Sequence, residues 1–246
     1  MDLTTERFKD GFLVVVDHQS KFAHCVGGEP PRKGTECPNC AKPLYQYFEL
    51  DTRDERLGLL QAPVEKLPLL YCLRCALAWC RFSYRVLPHG GIEQIESHKG
   101  ERSWDEFYSA VPLDVFPRRP IELLPLPPRL ASLQRRLNLT QVLGVKSEQD
   151  YERLIRANWK PAYVGFPPAV NLSQIRGDPY LMQGVKPPLC PWCERSTPSG
   201  DVPAMHFLAT FGNQEATGLV FTPPEYQVIF FICPDCFTVS VEHSID

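Results

Sequence analysis

The stretch Phe231-Ile232-Cys233-Pro234-Asp235-Cys236, set between apolar runs at 226–232 and 237–242, decides how this chain is read. Both runs are rich in β-branched and aromatic residues, so they read as two strands of a hairpin with the cysteines at its bend. A similar arrangement occurs earlier. Residues 67–71 lead into Cys72-Leu73-Arg74-Cys75, and 77–86 read as the return strand. Two more pairs, Cys37-Pro38-Asn39-Cys40 and Cys190-Pro191-Trp192-Cys193, precede strands read at 44–50 and 204–211. A further buried strand is read at 11–17.

These features recur in one order. The first copy runs from Val26-Gly27-Gly28-Glu29-Pro30 through Cys37 and Cys40, the aromatic strand Tyr47-Phe48-Glu49-Leu50, and Leu70-Tyr71 into Cys72 and Cys75. The second runs from Ile175-Arg176-Gly177-Asp178-Pro179 through Cys190 and Cys193, the strand Phe207-Leu208-Ala209-Thr210-Phe211, and Phe231-Ile232 into Cys233 and Cys236. Five elements in the same order point to a duplication. The expected fold class is α+β, mainly β, built from tandem zinc-ribbon-like domains. The boundaries are an N-terminal β-rich domain at 1–111, a Pro-rich connector with a basic helical segment at 112–171, and a C-terminal β-rich domain at 172–246.

Zinc takes four tetrahedral ligands and favours thiolates, and a Cys-x-x-Cys turn presents two sulfurs to one ion. Cys37, Cys40, Cys72 and Cys75 form one expected set, and Cys190, Cys193, Cys233 and Cys236 the other, giving two zinc ions per chain. The intervening loops at 41–71 and 194–232 are longer than in a simple ribbon, so the fold must bring the pairs together. Pairing across the two copies is the less economical arrangement. An iron–sulfur cluster uses the same four sulfurs and would colour the protein brown. A redox pair usually needs a helix N-terminus to lower a thiol pKa, and these knuckles read as lying against strands. A four-cysteine shell leaves no position for water, so the metals are expected to stabilise folding, not to hydrolyse a substrate. They would support small domains whose own cores are marginal.

Composition narrows the function classes. The 246 residues hold 25 prolines, about twice the usual share, which favours turns and extended segments over long helices. The net charge of −3 argues against a dedicated nucleic-acid or anionic-membrane binder. No apolar run is long enough to span a bilayer, and the polar N-terminus does not read as a signal peptide. A cytoplasmic location with thiols in place of disulfides is expected. Residues 112–128 contain six prolines and read as an extended connector. Helices are expected at 131–139 and 147–159, where Arg118 to Lys160 carries nine basic residues against four acidic ones. A solvated helix face accounts for that run.

The remaining candidates have plainer readings. His18, His24, His89, His98, His206 and His243 form no metal-binding pair or HExxH helix, and phosphate-loop and GxSxG motifs are absent. Gly27-Gly28 and His89-Gly90-Gly91 read as turns. Cys80 reads as a buried core thiol and Cys25, beside His24, as a turn or edge residue. Trp192, between two ligands, reads as an exposed contact.

The ordered set of Gly-Gly-x-Pro, Cys-x-x-Cys, aromatic strand and apolar-Cys-x-x-Cys resembles the family of programmed cell death protein 2 and its uncharacterised bacterial relatives, over about residues 20–90 and 172–246. Gln174-Ile175-Arg176-Gly177-Asp178-Pro179-Tyr180 is the closer copy of the glycine–proline motif, although Arg176 stands where its first glycine is expected. The tryptophan usual after that motif is missing from both copies, and the basic insertion has no counterpart. Eukaryotic members look like zinc-containing chaperones of a small-subunit ribosomal protein.

The leading expectation is therefore a non-enzymatic, zinc-stabilised protein-interaction module, a chaperone or adaptor with a groove between its halves. Its partner would be a basic protein, with a ribosomal one suggested by the resemblance. From Arg176 to Asp246 the chain has three basic and eight acidic residues, which suits a cationic client. The alternative is a nucleic-acid-binding zinc ribbon using Arg74, Arg81 and Arg85, with the basic run from Arg118 to Lys160 adding charge. A third reading is an enzyme whose first residues to test are His24, Cys25 and His89.

Overall fold

A computed structural model describes residues 10–18, 20–29, 35–38, 41–72, 82–97, 117–132, 134–135, 173–179, 181, 185–196, 202–212 and 226–245. Its strands are β1 (Phe12–Val16), β2 (Cys25–Val26), β3 (Tyr45–Asp51), β4 (Lys66–Tyr71), β5 (Phe82–Val86), β6 (Ile92–Ser97), β7 (Arg119–Pro125), β8 (Gln174–Ile175), β9 (His206–Gly212), β10 (Tyr226–Ile232) and β11 (Val239–Ile245). They form one curled antiparallel sheet in the order β4-β3-β2-β7-β1-β8-β9-β10-β11-β5-β6. The fold is α+β and mainly β. Residues 128–132 and 134–135 are helical, and a short helix spans Pro191–Ser196. The remainder of the helix expected at 131–139 and all of that at 147–159 lie outside the described residues.

The units β2-β3-β4 and β8-β9-β10 share one register. Each central strand carries a bulge at the same place: Tyr47 is passed over between the pairs Gln46↔Leu70 and Phe48↔Leu69, and Leu208 between Phe207↔Phe231 and Ala209↔Phe230. The short strands join at matching positions, Val26 opposite Phe48 and Ile175 opposite Ala209. The next residue in each case donates its amide to the bulged residue, Gly27 to the Tyr47 carbonyl at 3.1 Å and Arg176 to the Leu208 carbonyl at 2.7 Å. Both residues have positive φ, 69° at Gly27 and 59° at Arg176. That left-handed conformation strains a residue with a Cβ, so Arg176 occupies a glycine-type position at a cost.

The fourth strand breaks the parallel. The hairpin expected from 67–71 and 77–86 does not extend along β5. Where β10 pairs with β11 over its whole length, β5 pairs with β11 on one side and β6 on the other. The edge of β4 is closed by a side chain. The Tyr84 hydroxyl accepts from the Leu70 amide at 2.8 Å and donates to the Pro68 carbonyl at 2.9 Å. Those two backbone groups face the same edge, two residues apart, so one hydroxyl satisfies both. It also draws the two ends of the curled sheet together.

The proline-rich stretch read as a connector holds β7. That strand pairs with β2 through Arg119 and Pro120 and with β1 through Ile121 to Pro125, near the middle of the sheet. Pro120 has no amide to give to the ladder, but its carbonyl accepts from the Asp17 amide at 2.8 Å.

One buried cluster draws on both ends of the chain. Tyr47 meets Phe211 edge-on with centroids 4.9 Å apart, Phe48 lies 5.3 Å from Phe211, and Tyr71 stacks on Phe82 at 5.9 Å. All of β3 is buried, as the curl covers both its faces. Each such aromatic ring contributes about 2–3 kcal/mol by leaving water.

Candidate metal centre

Cys233 and Cys236 sit in the turn that joins β10 to β11. The Cys233 amide donates to the Thr238 carbonyl at 2.9 Å, and the Phe237 amide donates back to the Cys233 carbonyl at 3.0 Å. Phe237 has a φ of 57° and closes the loop. Cys190 enters from an isolated bridge, Leu189 opposite Ala204, and its amide donates to the Pro203 carbonyl at 3.1 Å. Cys193 lies within the helix Pro191–Ser196. This corrects the reading that every knuckle lies against strands. Proline at the first helical position costs nothing, since that amide has no helical partner.

The fold brings the four sulfurs together. Cys190 Sγ lies 3.5 Å from Cys236 Sγ, and Cys193 Sγ lies 3.8 Å from Cys233 Sγ and 3.7 Å from Cys236 Sγ. All four ligand atoms fall within 4.8 Å of one another. Zinc–sulfur bonds of about 2.3 Å in a tetrahedron place sulfurs about 3.8 Å apart, so the group could hold a metal ion without rearrangement. Cys190 and Cys233 are buried and Cys193 and Cys236 half-buried, against a lining of Met205, Phe207, Ile229 and Phe231.

Electrostatics favour a thiolate at one corner. Hydrogen bonds from Cys190 and Cys233, assisted by the Thr238 hydroxyl at 3.0 Å, pull the Cys236 thiol down to about 2. Burial, reinforced by Cys190 and Cys236, pushes Cys193 up to about 12. The same neighbours push Cys233 upward. A cation that displaces the shared protons removes the conflict.

Of the other expected set, Cys37 and Cys72 are described and both are buried. Cys40, Cys75 and the core thiol Cys80 lie outside the described residues. The backbone at Cys37 repeats that at Cys233: the Cys37 amide donates to the Lys42 carbonyl at 2.7 Å, the Ala41 amide donates to the Cys37 carbonyl at 2.9 Å, and Ala41 has a φ of 54°. Its approach repeats that of Cys190, with the bridge Glu36 opposite Pro43 and the Leu44 amide donating to the Thr35 carbonyl at 2.7 Å. Among the described residues no cysteine forms a disulfide.

Trp192 corrects a second expectation. It is half-buried, and the Arg85 guanidinium lies 4.0 Å from its ring centroid. The tryptophan packs internally against β5.

His24 and Cys25 do not make a nucleophile–base pair. The His24 Nδ1 accepts from the Asp51 amide at 3.0 Å, so Nε2 carries the proton and donates to Asp54 at 3.0 Å. Burial holds this imidazole below its ordinary pKa. Cys25 contacts Glu49 and Arg118 instead, and burial raises its thiol. His89 stands in the turn between β5 and β6. The buried Asp51–Asp54 network was not legible in sequence. Its one local sign is the spacing Asp51-Thr52-Arg53-Asp54-Glu55-Arg56, in which each aspartate grips the arginine two residues on. A cavity of about 570 Å³ opens at the Gly177 turn, lined by Asp10, Phe12, Arg56, Arg135 and Asp178 among others.

No helix among the described residues is long and apolar enough to cross a membrane. Comparison with family models, curated proteins and solved structures finds no match.

Proposed function

We propose that this chain is a non-enzymatic protein-interaction module stabilised by zinc, acting as a cytoplasmic chaperone or adaptor for a basic protein client. The observation that carries the reading is the gathering of the four sulfurs of Cys190, Cys193, Cys233 and Cys236 within 4.8 Å of one another. Four thiolates saturate zinc and leave no site for water or substrate, so the ion would serve the fold. Here the ion would neutralise buried thiolates and tie the β10–β11 turn to the helix Pro191–Ser196.

A second zinc is proposed at Cys37, Cys40, Cys72 and Cys75. The support is the shared backbone pattern of the Cys37 and Cys233 turns and the shared register of the β2-β3-β4 and β8-β9-β10 units. A duplication of one ancestral unit accounts for the shared register and for the matching bridges before Cys37 and Cys190, and the Cys37–Cys233 likeness is that of two turns of one knuckle type. The resemblance to the programmed cell death protein 2 family points the same way, toward a chaperone.

The acidic excess from Arg176 to Asp246 suits a cationic client, and the cavity at Gly177 carries Asp10 and Asp178. Arg85, one of three arginines in the nucleic-acid reading, is taken up by Trp192 and Glu93, which favours a protein client. The test is affinity capture of the tagged, zinc-loaded chain, with mass spectrometry of the eluate. Enrichment of a basic protein lost at high salt is the expected result. Enrichment of nucleic acid with no protein partner would sink the client reading.

A further inference from the structure

The cysteine centre touches β5 from two directions. Trp192, between ligands Cys190 and Cys193, stacks on Arg85 of β5 at 4.0 Å. From the other ligand turn, β11 begins three residues after Cys236 and pairs at once with β5, Val239 opposite Tyr84 and Ser240 opposite Ser83. The Ser83 and Ser240 hydroxyls hydrogen-bond at 3.0 Å. Arg85 also reaches across to Glu93 of β6, at 3.8 Å. A line of contacts thus runs from the ligand turn through Trp192 and Arg85 to the last strand of the sheet.

We infer that Trp192 and Arg85 form a latch through which occupation of the cysteine centre holds the β5–β6 hairpin onto β11. This rests on the metal reading above. Trp192 is flanked on both sides by ligands, so an ion that fixes both sulfurs also fixes the ring on which Arg85 lies. Without the ion the sulfurs beside the ring are no longer bound to the β10–β11 turn, and the ring keeps only its packing against the apolar lining of the centre. The hold of the hairpin on β11 is then a short ladder covering 82–84, beside the Tyr84 hydroxyl and Phe82 ring that tie β5 to β4. Release would bare the edge of β11, a row of unpaired backbone groups open to another strand. The latch therefore makes the state of the metal centre visible in a hairpin contributed by the other half of the chain.

The test is hydrogen exchange with mass spectrometry on the full zinc-loaded chain, with zinc content measured on the same samples. The double substitution Cys190→Ser with Cys193→Ser empties this centre alone. It should accelerate exchange at 82–97 at least tenfold while changing 45–51 and 66–71 less than threefold. Arg85→Ala keeps the cysteines and should retain the parent's zinc, yet reproduce the acceleration at 92–97. If Arg85→Ala retains zinc and exchanges like the parent, or if emptying the centre leaves 82–97 protected, the latch is wrong while the metal reading stands. If the parent takes up no zinc, both are wrong, and the metal analysis alone shows it.

Discussion

The imidazole of His24 and the carboxylate of Asp54 meet at 3.0 Å with both side chains wholly shielded from water. Neither group is isolated. Asp54 caps the short 3-10 turn Glu55–Leu57 by accepting from the Arg56 amide and holds the Arg56 guanidinium at 2.7 Å, which in turn donates to the Leu123 carbonyl of β7. His24 is locked to β3 through the Asp51 amide. The network fastens the β3–β4 connection to the centre of the sheet, and its charges give it a defined pH signature.

Burial lowers the His24 pKa, so the unfolded chain takes up a proton that the native chain refuses. Stability from this group is complete above the unfolded value of about 6.5 and declines as pH falls below it. Asp54, lowered by Arg56 and His24 against its burial, adds a further loss below about pH 4. Replacing His24 by Ala strands the Asp51 amide, while the Asp54 oxygen it contacted keeps the Arg56 guanidinium, so the change should cost about 1–3 kcal/mol. Urea unfolding at about pH 7.5 and 5.5 should show a smaller pH difference for His24→Ala than for the parent. An equal difference would place the titration elsewhere.

Thr238 sets the Cys236 corner of the metal centre through its hydroxyl, 3.0 Å from the sulfur. Outer-shell partners of this kind are worth about 10–100-fold in metal affinity. Thr238→Val is nearly isosteric, so zinc affinity measured by competition with a chromophoric chelator should fall within that range while the apo chain folds as before.

Metal stoichiometry separates the two proposed sites. Native mass spectrometry of the chain purified without added zinc should give two ions, and Cys233→Ser should lose one. Because the buried aromatic core contains no ligand of this centre, the same variant should stay folded, with a lowered midpoint of thermal unfolding.

Gly177 has a φ of 82°, and a Cβ there would stand 2.8 Å from the Gly11 backbone. Gly177→Ala should destabilise the chain by about 2 kcal/mol or more, combining the left-handed strain with the clash. Arg176→Gly relieves strain at the preceding residue but removes the Arg176 guanidinium from the Arg56 carbonyl, so its net effect should be smaller. Thermal unfolding of the two variants reads the ranking.

Tyr84→Phe removes the one hydroxyl that serves both Leu70 and Pro68. Two buried backbone groups then lack partners, at about 1–3 kcal/mol each. Exchange at the Leu70 amide should quicken more than at its ladder-bonded neighbours in β4.

Much of the local structure was legible. The strands at 11–17, 44–50, 67–71, 204–211 and 226–232 follow from β-branched and aromatic runs, and β1, β3, β4, β9 and β10 fall on them. β2 and β8 were missed because two-residue strands next to a glycine-type turn carry no periodicity. β6 was missed because Ile92-Glu93-Gln94-Ile95-Glu96-Ser97 is half polar at an edge. The sulfurs of Cys190, Cys193, Cys233 and Cys236 could be grouped from spacing. The helix at Pro191–Ser196 could not, since six residues give too short a pattern to read.

The amino-acid sequence by itself determined which residues could become strands, where the chain would turn back, and which sulfurs had to travel in pairs. Those features rest on hydrogen-bond rings closed within about six residues and on side chains that alternate along one strand. Only the tertiary structure decided that β5 leaves β4 for β11, that a proline-rich strand sits mid-sheet, that Trp192 turns inward onto Arg85, and that His24 closes on Asp54. Each of these joins segments far apart in the chain. The choice among such partners depends on how the whole sheet curls and which buried polar groups that curl leaves to be satisfied, and no local pattern records it.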